Sequence, residues 1–210
     1  MANRNTAMFH QFTRSDVEIL DENIGYDGFF KIKTMVLCHQ FFSGDTGKTL
    51  SRELFVRGAA TCMLPYDPQA DQVVMCEQFR VGALSDERSP WLLELVAGIN
   101  DPGETPAETA KREAKEEAGL VVKDLLPICE YYPSPGGSDE WITLLCGLVE
   151  SHGVEGIYGV AEEGEDIRVH VIPRQEAFDL IATGHVNNAA SIIGLQWLQL
   201  NYSELQQKWC

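Results

Sequence analysis

GINDPGETPAETAKREAKEEAGL, residues 98–120, carries a complete helix within its own punctuation. Thr105 suits the N-cap, and Pro106 suits the first helical position, where its missing N–H costs nothing. Glu108 stands three residues after Thr105 and completes a capping box. Gly119 suits the left-handed position that closes a helix. The spacing therefore predicts a helix from about Pro106 to Ala118. Ala107, Ala110, Ala114 and Ala118 fall three and four apart on one stripe, the expected buried face. Glu113 and Glu117 share a face beside it, with Glu116 one step further round.

Carboxylates so spaced repel one another and weaken an isolated helix. One reading is a solvated acidic face, made tolerable by Arg112 pairing with Glu116 at i,i+4. The other is a hard-cation site, since carboxylates, backbone carbonyls and water suit Mg²⁺ or Mn²⁺, above all when substrate phosphates complete the shell. The rest of the stretch favours the second. Gly98, Glu104, Arg112, Glu113, Glu116, Glu117 and Gly119, with apolar Ala114 and Leu120, match the Nudix box without a departure. Seven fixed identities arise by chance on the order of once in 10⁹ start positions. The chain thus resembles the Nudix hydrolase family.

Composition bounds the alternatives. The chain has 210 residues, 16 basic and 32 acidic, for a net charge of -16. This argues against a nucleic-acid surface or an anionic membrane as partner. It also means that metal ions and a few local arginines must offset the charge before an anionic substrate binds. Met1 to Thr13 has no apolar core of a secretory signal, and no run of 18 apolar residues is present. The six cysteines are scattered without a CxxC spacing, so reduced thiols and a cytoplasmic location are expected. Gly44-Asp45-Thr46-Gly47-Lys48-Thr49 has two residues before Gly-Lys-Thr where a phosphate loop needs four, and is set aside.

Around the box, Asp16–Leu20, Phe29–Leu37 and Leu50–Arg57 read as strands of a small antiparallel sheet. Gly58–Leu64 and Gln72–Gln78 read as a hairpin around Tyr66-Asp67-Pro68, and Trp91–Val96 as one strand leading into the box. Val121–Glu130 is a strand or irregular segment, and Trp141–Val149 a buried strand. Glu150–Asp166 reads as a long acidic connection, followed by a strand at Ile167–Ile172 and helices at Arg174–Thr183 and Ala189–Lys208. Strands interleaved with three helices predict an α/β (α+β) class, a mixed sheet sandwiched between helices. The expected division is an N-terminal β domain, 1–57, and a catalytic domain, 58–210.

The resemblance extends over nearly the whole chain and is closest to the bacterial ADP-ribose pyrophosphatase branch of the family. It implies a Nudix fold and hydrolysis of ADP-ribose to AMP and ribose 5-phosphate. It implies two or three Mg²⁺ or Mn²⁺ ions held by Glu113, Glu117, Glu165 and the Ala97 carbonyl, with Glu116 close by and Arg112 orienting the carboxylates. Glu163 matches the general base of that branch, with Glu162 as an alternative in the same loop. Pro135, fifteen residues past Leu120, matches a proline of the ADP-ribose-cleaving members. The resemblance further implies a homodimer with exchanged N-terminal strands. Phe29, Phe30, Arg52, Glu53 and Arg57 would then reach the adenine and ribose of the partner's substrate, although Phe29 and Phe30 also suit a core. Arg80, Ile99, Ser134, Gly136 and Glu140 match further substrate contacts, Ile99 standing where the group often has Met. The rivals are another nucleoside diphosphate derivative as substrate, and a sensor without activity. The intact glutamates and the lack of a basic helical domain oppose the sensor.

Overall fold

A computed structural model describes residues 12–160 and 164–210. The chain divides into two compact units. The first holds the described residues up to Gly58 together with Ser134–Glu140, a segment that the boundary at 57 and 58 had left in the second. Strands β1 (Val17–Asp27), β2 (Lys31–His39) and β3 (Leu50–Val56) form an antiparallel sheet in that order. β1 runs well past the expected end at Leu20. Its side chains are almost all exposed, so no alternation is imposed on its sequence, and register shifts after Ile19 and Ile24 disturb the period further. Ser134–Glu140 joins β3 through backbone bonds. Phe55 N donates to Gly137 O at 2.8 Å and Asp139 N donates to Phe55 O at 3.2 Å.

The second unit is built on a mixed sheet. Its strands are β4 (Ala59–Asp67), β5 (Gln72–Phe79), β6 (Trp91–Glu94), β7 (Val96–Ile99), β8 (Asp124–Tyr131), β9 (Trp141–Leu148), β10 (Gly156–Tyr158) and β11 (Ile167–Pro173). The order is β10-β11-β5-β4-β9-β8, with β6 on β5 and β7 on β4. β4 and β9 pair in parallel, and the neighbouring pairs are antiparallel. Helix α1 (Pro106–Ala118) covers one face, while α2 (Arg174–Ala182) and α3 (Ala189–Trp209) cover the other. Alternation sorts β5 between them. Val73 and Met75 face α2 and α3, and Val74 and Cys76 face α1.

Three expectations are corrected here. Tyr66 and Asp67 continue β4, and the turn falls at residues 68–71, where Asp71 takes a φ of 51°. The segment Trp91–Val96 is two strands: it breaks at buried Leu95, so that β6 stays on β5 while β7 crosses to β4. An apolar run shows no trace of such a change of partner. The connection Glu150–Asp166 includes β10, three residues that owe their extended form to pairing with β11. Among the described residues no helix is long and apolar enough to cross a membrane.

Candidate active site

Helix α1 has the predicted ends. Thr105 N donates to Glu108 Oε2 at 2.8 Å, and Glu108 N donates to Thr105 Oγ1 at 3.3 Å. Gly119 has a φ of 63°, and Leu120 N donates to Ala114 O at 2.9 Å, closing the last turn. Its buried face is shifted from the expected alanine stripe. Ala110, Ala114 and Ala118 are buried, but Ala107 in the first turn is exposed. Thr109 and Glu117 are buried instead, so a carboxylate takes part in the helix–sheet contact.

Glu117 is 2 % exposed, and its Oε2 accepts a hydrogen bond from Ala97 N at 3.0 Å. The start of the box on β7 thus reaches the helix through the backbone of a residue expected as a metal ligand. Arg112 binds the acidic groups together. Its Nε donates to Glu104 Oε1 at 3.0 Å and its Nη2 to Glu104 Oε2 at 3.0 Å, a bidentate pair. Nη1 donates to Glu113 Oε1 at 2.6 Å and Glu116 Oε2 at 3.2 Å, and Nη2 also reaches Ile99 O at 3.3 Å. Sequence reasoning had given Glu104 no role beyond the pattern. It is the fixed end of this network, also accepting from Thr109 Oγ1 at 2.8 Å. Arg112 holds its carboxyl down at about 2.

Glu165 stands at the foot of the acidic loop. Val160 N donates to Glu165 Oε2 at 3.1 Å and Glu165 N to Val160 O at 3.3 Å. Gly159 makes this closure possible. Its φ is 105°, and a Cβ there would lie 2.8 Å from Glu165 Cβ. Glu162 and Glu163, the candidate bases, lie outside the described residues.

The three expected metal carboxylates act on one another. Burial pushes the Glu117 carboxyl up to about 8; the Ala97 N–H opposes this, and the charges of Glu113 and Glu165 reinforce it. Burial likewise raises Glu113, with Arg112 opposing. Among the described residues no group of three His, Cys, Asp or Glu side chains has coordination spacing, and Glu113 and Glu117 are engaged by Arg112 and Ala97 N. The donor set nevertheless fits a hard cation: three mutually repelling oxygen ligands, two of them desolvated, are offset only by Arg112 on Glu113 and by the charge of Arg80 acting on Glu117. A stability effect follows. Between pH 4.5 and about 8 the folded chain keeps a proton on Glu117 that the unfolded chain has lost. The metal-free protein is therefore expected to lose roughly 3–5 kcal/mol of stability across that window as pH rises. Melting curves in a chelator check this, and a melting temperature that climbs from pH 5 to 8.5 would contradict it.

Arg80 follows β5, on the α1 side of the sheet, and its Nε donates to Glu94 Oε2 at 2.7 Å. Its charge also reaches Glu117. Glu94 was missed as a partner because the break at Leu95 hides its register opposite Cys76. Ile99 is exposed at the end of β7.

The remaining candidates belong to the first unit. Arg57 donates from Nε and Nη2 to Glu140 Oε1 at 3.1 and 2.8 Å, with its guanidinium 4.6 Å from the centre of the Phe30 ring. Phe30 also meets Phe55 edge-on, so it is partly a packing residue. Phe29 is 89 % exposed, which rules out a core role within this unit. Arg52 and Glu53 are exposed on β3, and Arg52 Nη1 donates to its neighbour's carbonyl, Ser51 O. Ser134, Pro135 and Gly136 lie on an exposed turn, where Ser134 O accepts from Ser138 N at 3.1 Å. A Cβ on Gly136 or Gly137 would touch nothing within 4 Å, so packing does not require glycine at either position.

Comparison with known proteins agrees with this geometry. The NUDIX domain model matches residues 56–193. The ADP-ribose pyrophosphatase of Haemophilus influenzae is 46 % identical, covering 94 % of this chain and 93 % of that protein. The ADP-ribose pyrophosphatase of Escherichia coli K12 is 43 % identical, covering 94 % and 95 %. A GDP-mannose pyrophosphatase of Enterobacter is 29 % identical, over 88 % and 96 %. A solved structure described as an ADP compounds hydrolase superposes with a TM-score of 0.68 at 21 % identity, covering 92 % of this chain and 96 % of that one, a likeness of fold. The box on α1, the carboxylates it presents and a family match over well over half the chain agree: this chain belongs to the NUDIX family.

Proposed function

We propose that the chain hydrolyses the pyrophosphate bond of ADP-ribose, taking up water and releasing AMP and ribose 5-phosphate. The observation that carries this is the similarity to ADP-ribose pyrophosphatases across nearly the full length, higher than that to a GDP-mannose pyrophosphatase. The intact glutamates of α1 support an enzyme rather than a sensor. Glu113, Glu117, Glu165 and the Ala97 carbonyl would hold divalent ions, Mg²⁺ or Mn²⁺, in a set of two or three. Bound there, such ions supply charge neutralisation of the pyrophosphate and acidify water. The chain's own residues do the rest. Arg112 keeps Glu113 and Glu116 aligned, the Ala97 N–H fixes the Glu117 carboxylate, and Arg80 binds a phosphate oxygen. Glu163 takes the proton from the attacking water, with Glu162 as the alternative. Phosphoryl transfer asks mainly for positioning and charge stabilisation, so no Ser or Cys nucleophile is needed.

Phe29, Phe30, Arg52, Glu53, Arg57, Ser134, Pro135, Gly136 and Glu140 are assigned to the nucleoside and terminal ribose, and Ile99 to the edge of the site. Exposed Phe29 offers a free aromatic face for a base. We assign the first unit to a homodimer with exchanged N-terminal strands. The open apolar residues of β1, Leu20, Ile24 and Tyr26, support it, since an edge strand so exposed is usually covered. The six cysteines, scattered without a CxxC spacing, suit the cytoplasm. AMP release from ADP-ribose with Mg²⁺, beside GDP-mannose, NADH and diadenosine tetraphosphate, tests the reading. ADP-ribose is expected to be preferred, and light scattering is expected to give twice the chain mass. Preference for another member of the panel would replace the substrate. No turnover with ADP-ribose still bound would make the protein a sensor.

A further inference from the structure

We propose that Glu94 is a positioning residue for catalysis: it holds Arg80 from the side, aims its two terminal nitrogens at a phosphate oxygen, and keeps it from pairing with Glu117. This rests on the reading of Arg80 as a substrate contact. Arg80 has its backbone tied down, since its N–H donates to Pro90 O at 2.9 Å and its carbonyl accepts from Ala83 N at 2.9 Å. Its side chain is 43 % exposed and has one partner among the described residues, the contact from Nε to Glu94 Oε2. A side-on contact through Nε leaves Nη1 and Nη2 uncommitted. These are the two nitrogens whose planar spacing matches two oxygens of a phosphate. Arg112 differs, because its terminal nitrogens are spent on Glu104, Glu113, Glu116 and Ile99 O.

Glu94 is suited to the task by its place. It ends β6 opposite Cys76, on the face where Cys76 packs toward α1, and its carboxylate is only 16 % exposed. Glu117 approaches the same thiol closely enough for the charges of Glu117, Glu94 and Arg80 all to act on it. Arg80 is therefore in contact with one poorly solvated carboxylate, Glu94, while its charge also acts on a second, Glu117. An arginine without a fixed partner would be free to turn toward Glu117, whose ionised carboxylate, already desolvated, gains from any nearby cation. A pairing of that kind would occupy the terminal nitrogens and a metal-ligand carboxylate together. Glu94 prevents it by offering an acceptor already within hydrogen-bond distance of Nε.

The test is a double-mutant cycle on the full chain, using Glu94→Ala, Arg80→Ala and both, with Glu94→Asp and Glu94→Gln as graded replacements. Steady-state kinetics are read with ADP-ribose, or with whichever diphosphate of the panel is turned over. Binding of Mn²⁺ without substrate is read by electron paramagnetic resonance. Glu94→Ala is expected to raise KM on the order of tenfold or more, with a smaller fall in kcat, and to weaken Mn²⁺ binding as Arg80 moves onto Glu117. Glu94→Gln, which keeps an acceptor but no charge, falls between, and Glu94→Asp recovers part of the loss. In the Arg80→Ala background the Glu94 substitution should add almost nothing to KM, since its effect runs through that arginine. Equal losses from Glu94→Ala in both backgrounds would overturn the proposal and leave a plain structural role. An Arg80→Ala enzyme with unchanged KM would overturn the proposal and the Arg80 contact together, while the hydrolysis itself would stand.

Discussion

Glu117→Gln is expected to lower kcat for ADP-ribose by about 10³-fold or more, and to raise the melting temperature of the metal-free protein at pH 9. Both effects have one cause. Glu117 is buried on the sheet side of α1, where an ionised carboxylate is poorly solvated and faces the charges of Glu113 and Glu165. A divalent ion makes that charge useful, and without one the charge only costs. Glutamine keeps an oxygen to accept from Ala97 N, so the link between β7 and α1 survives while the charge goes. At pH 9 the carboxyl, pushed up to about 8, is ionised in the folded chain, and removing it should recover most of the roughly 3–5 kcal/mol lost across the window. For a domain of this size that is about 10–15 °C. At pH 4.5 and below the carboxyl is protonated in both folded and unfolded chains and the two proteins should melt nearly together, and the gap should open steadily from there to about pH 8. A variant that melts lower at pH 9 would show that Glu117 stabilises the fold, and would remove the strain on which the cation site is argued.

Gly98→Ala is expected to cost about 10²–10³-fold in activity while changing the fold little. A Cβ at residue 98 would fall within the carboxylate of Glu113 and 2.6 Å from its Cγ. The backbone of β7 has no need of a glycine here, as its φ is not positive, so the clash is wholly with that side chain. Glu113 is flexible enough to swing aside, giving up its contact with Arg112 Nη1 and its place as a metal ligand. Mn²⁺ titration beside kinetics separates this from misfolding. The far-UV spectrum and melting temperature should stay close to wild type, and the loss should appear in ion affinity. Activity within threefold of wild type would mean that Glu113 is not needed where the structure puts it.

The parts of this site legible in the sequence are those whose cause lies within one turn of chain. Thr105 with Glu108, Pro106 and Gly119 set both ends of α1, because capping bonds connect residues three to six apart. The pairing of Arg112 with Glu116 is of the same kind. The exposure of Ala107 and the burial of Thr109 and Glu117 were not legible, since periodicity gives a face and the sheet beneath decides how far along the helix it is covered. The break at Leu95, the short β10 and the attachment of Ser134–Glu140 to β3 depend on which strand each segment meets. No residue within those segments records that choice. Glu94 beside Arg80 is a cross-strand consequence of the same register.

By itself, then, the sequence determined the family signature, the helix that carries the carboxylates, the mixed α/β class and the residue types able to hold a cation. Local capping, side-chain period and charge are written in neighbouring residues, and they need no distant partner. Tertiary structure alone decided that Glu117 is desolvated, that Glu104 anchors Arg112, that Gly98 must leave room for Glu113, and that Arg80 is held from the side. Each of these comes from chain segments brought together by sheet register, and burial and electric field exist only once those segments have met.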